Sequence, residues 1–106
     1  MTAFEIINGI NAYPIPTGTI GGFALNRGVD LDAQATAALV ASREYNLLRA
    51  DVLTWLSYAP NISQGGQTYS FSEEQRTQFR AEAQALYSEF ETNKPKAKFG
   101  YKGDRL

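Results

Sequence analysis

Apolar positions along the chain form two strong helical stripes separated by a polar run. Tyr45, Leu48, Val52, Trp55 and Ala59 recur at spacings of three, four, three and four. That period places them on one side of an α-helix. Leu39, Leu47 and Leu56, with the small Ala35, Ala38 and Ala41, widen the stripe, and the pattern predicts one helix over residues 33–58. Such a helix would reach ~39 Å at 1.5 Å per residue and would serve as the central strut. Asp30 or Asp32 would cap its start, and either carboxylate suits the positive end of the helix dipole. Pro60 stops it. The second stripe, Phe79, Ala83, Leu86 and Phe90, extended by Tyr87, predicts a last helix opened by Ser72. Gln75 stands three residues after Ser72, the capping-box spacing. Asn93 and Pro95 end this helix. Its aromatic residues read as a packing face and not as a cofactor box, because their spacing is that of a buried side.

Two weaker segments precede the strut. Thr2 and Glu5 form a capping box for a short helix whose buried side holds Phe4, Ile7 and Ile10. Gly9, Asn11 and the Tyr13-Pro14-Ile15-Pro16 run end it. Residues 17–27 predict a short, weak helix, with Pro16 suited to the first helical position and Gly28 to a left-handed C-cap. Gly18, Gly21 and Gly22 each cost up to ~1 kcal/mol relative to alanine, or else permit close packing against the strut. The expected fold is all-α: a small bundle of about four helices, with two long helices joined by an extended polar loop, and an extended C-terminal tail.

The joining segment reads Asn61, Ile62, Ser63, Gln64, Gly65, Gly66, Gln67, Thr68, Tyr69, Ser70 and Phe71. Gly65-Gly66 is a hairpin or bend signal. Residues 68–71 alternate polar and aromatic, which suits a short extended segment. Connectors between packed helices usually run to about eight residues at most. The length of this one favours an interaction loop. The P-loop spacing and its lysine are missing, so the glycines do not make a phosphate cradle.

At 106 residues the chain makes one domain, read as a helical body over 1–93 and a basic tail over 94–106. The apolar fraction of 43% includes much alanine, which buries little area and implies a thin core that gains from partners. The chain has no cysteine and no histidine. Disulfides, thiol nucleophiles, the commonest general base and the commonest transition-metal ligand are therefore excluded. No catalytic, cofactor-binding or metal residue is assigned. Arg43, Glu44, Arg49 and Asp51 read as a solvated face or as ion pairs to a neighbouring helix. No apolar run is long enough to span a membrane, and the start lacks a signal-peptide pattern. A cytoplasmic protein, host or viral, is the default.

Charge is unevenly placed. Residues 1–93 carry five basic and ten acidic side chains, a net of −5, and residues 94–106 carry five basic and one acidic, a net of +4. Lys96, Lys98, Phe99, Tyr101, Lys102 and Arg105 thus make a candidate docking tail, with the rings as anchors and the cations as rim. On charge alone such a tail either docks on a neighbouring copy of the acidic body or is a solvated, frayed terminus. The alternative is a small helical nucleic-acid-binding or regulatory protein that uses the same tail, because aromatics among lysines grip single strands. An enzyme is the least supported class, since no spacing of carboxylate, lysine and tyrosine points to a site.

The run from Asn61 to Ser72, the Tyr13-Pro14-Ile15-Pro16 turn, the Ala50-Asp51-Val52-Leu53-Thr54-Trp55-Leu56 segment and the terminal Gly100-Tyr101-Lys102-Gly103-Asp104-Arg105-Leu106 resemble one group of proteins. They are the head–tail connector (adaptor, or head-completion) proteins of tailed phages and prophages, particularly those of gut Bacteroidetes. The resemblance spans nearly the whole chain and rests on structural motifs. It implies a helical protomer that assembles as a homo-oligomeric ring under the portal, commonly of twelve copies. It also implies portal and neck or tail proteins as partners; no cofactor, no specific nucleic acid and no membrane are expected. The place implied is the virion neck, with the host cytoplasm during assembly. Residues 61–71 would reach a neighbour or the channel, and residues 94–106 would engage an adjacent subunit or the portal.

Overall fold

Side-chain caps mark where the chain turns. The computed structural model describes residues 1–91. It contains α1 (Ala3–Asn8), α2 (Thr17–Arg27), α3 (Ala37–Ala41), α4 (Arg43–Tyr58), β1 (Ile62–Gln64), β2 (Gln67–Tyr69) and α5 (Glu73–Glu91). The described chain is mostly helical but not purely all-α: it has five helices where about four were expected, and the polar loop carries a two-stranded sheet.

The Thr2–Glu5 capping box opens α1 as its spacing predicts. In α2, Pro16 is the N-cap and not the first helical residue, and Gly28 closes the helix in the left-handed region at φ 73°. A Cβ built on Gly18, Gly21 or Gly22 meets nothing within 4 Å. Close packing therefore does not require these glycines. Ser72 and Gln75 exchange the two bonds of a capping box at the start of α5, at 2.8 and 3.1 Å.

The expected single strut over 33–58 does not form. Residues 33–35 instead lie against the N-terminus: Ala3 N–H donates to Ala33 O and Ala35 N–H donates to Met1 O, each at 2.9 Å. Asp30 and Asp32 are not caps of the strut, since the Asp30 carboxylate accepts from the Asp32 N–H within its own turn. Thr36 caps α3. Ser42 then adopts an extended conformation (φ −71°, ψ 153°) that breaks the helix. Its hydroxyl donates to Leu39 O at 2.6 Å and accepts from Tyr45 N–H at 3.3 Å. Asn46 Nδ2 donates to Val40 O and Ser42 O at 2.8 and 2.7 Å. Two short polar side chains thus satisfy the backbone groups that a sharp corner leaves open. Ala38 and Ala41 consequently point to solvent and do not join the buried stripe.

The central helix is therefore α4, ~24 Å long at 1.5 Å per residue. Its Tyr45, Leu48, Val52, Leu56 and Ala59 C-cap join Ile7, Tyr13, Ile15, Ile20 and Ala24 in the main core. Its other side meets α5 through Ala50, Leu53 and Ala83. Helices α4 and α5 run antiparallel, because Arg43 reaches Phe90 O while Arg76 reaches Ser57 O. Phe79, Leu86 and Tyr87 of α5 pack around these residues, and polar bonds add to the joint.

Candidate functional site

The loop of residues 61–71 is a β-hairpin mounted on the C-terminal end of α4. Gly65 and Gly66 have φ of 59° and 79°, the signature of a two-residue type I′ turn, which only residues free of a Cβ adopt easily. The register pairs Ile62 with Tyr69, Ser63 with Thr68 and Gln64 with Gln67. Ser63 and Thr68 hydroxyls lie 3.2 Å apart across the strands.

Rings fix the base of this hairpin. Tyr13 is buried, and its hydroxyl donates to Pro60 O at 2.6 Å. Its ring stacks on Phe71 (centroids 5.4 Å apart, 25° between planes) and meets Trp55 and Tyr69 edge-on. Phe71 in turn meets Phe79 of α5 edge-on at 5.0 Å. Arg76 closes the arrangement. It donates to Ser57 O at 3.1 Å, Ala59 O at 2.7 Å and Asn61 Oδ1 at 2.9 Å, while its guanidinium lies over the Phe71 ring. Asn61 Oδ1 also accepts from the Phe71 N–H. One planar cation thus terminates α4 and ties down both roots of the hairpin. Ile62, Tyr69 and Phe71 are half-buried at the base, whereas Ser63, Gln64, Gly65, Gly66, Gln67, Thr68 and Ser70 are exposed.

Beside the hairpin lies a cleft of about 380 Å³ between α2, α4 and α5. Phe23, Trp55, Tyr58, Tyr87 and Pro60 supply its apolar wall, and Asp51 and Thr54 its polar end. Tyr58 is 71% exposed, with Arg80 over its ring. At the polar end Arg27 grips Asp51 through two bonds of 2.7 and 3.0 Å, and Tyr87 donates to the same carboxylate at 2.6 Å. Arg27 also reaches Glu91 at 3.2 Å. The hydrogen bonds to Asp51, outweighing burial, push the Arg27 guanidinium above its ordinary value. Burial, helped by the bond to Asp51, pushes the Tyr87 phenol up. Tyr87 thus remains a donor at neutral pH. With Arg27 and Tyr87 both bound to it, Asp51 works as a clamp between α2, α4 and α5.

Sequence reasoning read a hairpin or bend at Gly65-Gly66 and an extended segment over residues 68–71, and the structure pairs them as a two-stranded sheet within a fold expected to be all-α. That reading missed Arg76, Tyr13 and Arg27 as anchors. Asp51, one charge inside an apolar stripe, was the available signal of a buried partner. The docking-tail residues Lys96, Lys98, Phe99, Tyr101, Lys102 and Arg105, and the helix stop at Asn93 and Pro95, lie outside the described residues. Among the described residues no cluster of three or more His, Cys, Asp or Glu is placed to hold a metal ion, and no helix is long and apolar enough to cross a membrane. No family model, curated protein or solved structure matches this chain.

Proposed function

We propose that the chain is a structural subunit of the tailed-phage neck, a head–tail connector that joins copies of itself into a ring beneath the portal. The observation that carries this reading is the hairpin: a polar, exposed tip held on a rigid root of five rings and Arg76. A contact element ordered before it meets its partner loses less conformational freedom on binding. The tip is the part offered to the neighbouring subunit, and head-to-tail contacts of this kind close into rings. The excess of acidic over basic side chains in residues 1–93, ten against five, suits a channel that passes DNA without gripping it. The resemblance of the loop and the Tyr13–Pro16 turn to connector proteins points the same way.

Native mass spectrometry of the intact chain, alone and with portal protein, tests the proposal. A ring in either sample is the expected result, and Gly66→Val, which strains the turn, should abolish it. A monomer in both samples overturns the reading.

A further inference from the structure

We infer that the aromatic cleft is the seat of the chain's own C-terminal tail, residues 94–106. The end of α5 stands at the mouth of the cleft: Glu91 is bonded to Arg27, and Arg27 to Asp51, which forms the polar end. The last described residue of α5 therefore stands beside the polar end of the cleft. Eight residues, from Thr92 to Phe99, reach at most about 26–29 Å, whereas the cleft runs along α4 only from Asp51 to Tyr58, about 10 Å at the helical rise. Phe99 and Tyr101 are thus within reach of the whole wall.

The chemistry of the two surfaces matches. The cleft presents Phe23, Trp55, Tyr58 and Tyr87, and the tail brings Phe99, Tyr101 and four lysines. Aromatic walls take rings edge-on and take cations over their faces. At the end of α5 the carboxylates of Asp51 and Glu91 face Arg27 and Arg43, so charge attraction for the tail comes from the acidic body as a whole and not from this corner. The body is acidic as a whole and the tail basic. A short tether also gives the tail a local concentration on the order of millimolar, ahead of competing copies in solution. This contact needs no ring and no portal, so its test is separate from that of assembly.

Trp55, the single tryptophan of the chain, lines the cleft and reports on it directly. Deletion of residues 94–106 should shift Trp55 emission to the red and increase its quenching by acrylamide, with helix content by circular dichroism retained. A synthetic peptide of residues 94–106 added to the deleted chain should reverse both changes. Full-length Phe99→Ala/Tyr101→Ala should behave as the deletion does. Unchanged emission and quenching in both variants overturns the inference. So does protection of Trp55 that appears only as protein concentration rises, because the tail would then be seated on a second copy.

Discussion

The two ends of α4 are finished in opposite ways. At the start, Ser42 and Asn46 satisfy the open backbone groups from within the same stretch of chain. At the finish, Arg76 reaches back from α5, with separations of 17 and 19 residues, to take the Ala59 and Ser57 carbonyls. A local cap forms whenever its helix forms. A distant cap exists only once the tertiary structure does, so the hairpin beside it depends on the packing of α5.

Removing the distant cap should therefore do the most damage. Arg76→Ala loses bonds to two carbonyls and to Asn61, and is expected to cost about 2–3 kcal/mol in urea unfolding. Hairpin amides 62–69 should lose hydrogen-exchange protection at the same time. Arg76→Lys should recover little, because an ammonium lacks the planar fork that spans three acceptors. If the amides stay protected in Arg76→Ala, the end of α4 is held by the rings alone.

The local cap should matter less. Ser42→Ala is expected to cost about 1 kcal/mol, the usual value of an N-cap. Its Cα chemical shift would reveal whether residue 42 turns helical and lets α3 and α4 merge. Merging would mean that one hydroxyl decides the corner. An unmerged variant would give that role to Asn46 and the pairing of residues 33–35.

A smaller effect is expected midway, where Tyr87 ties α5 to Asp51. Burial raises the phenols of both Tyr45 and Tyr87 above the ordinary tyrosine value. The folded state thus keeps its phenolic protons to higher pH than the unfolded chain does. The contribution of these phenols to stability should be level below about pH 10, where unfolded tyrosine begins to ionise, and should be lost as pH rises through the folded values. Tyr87→Phe should make that alkaline fall shallower and leave the part due to Tyr45, as measured by urea midpoints across the range.

The same contrast explains what the sequence made legible. The Thr2–Glu5 and Ser72–Gln75 boxes, the Gly28 cap and the Gly65-Gly66 turn are decided by neighbours a few residues apart, and each was readable. The corner at Ser42 was not, because an alanine-rich run with a helical period gives no hint that residues 33–35 are bonded to Met1 and Ala3. The loop residues of the candidate site were legible by composition and length. The cleft was not, since Phe23, Trp55, Tyr58 and Tyr87 come from three helices that only the fold brings together.

The apex of the hairpin is naked peptide. Gly65 and Gly66 put amides and carbonyls at the outermost point with no side chain to hold another surface off. A partner docked at that point would meet the main chain itself and be read by its outline. Under the proposed assembly, substitutions in such a partner that keep its outline would leave the contact intact.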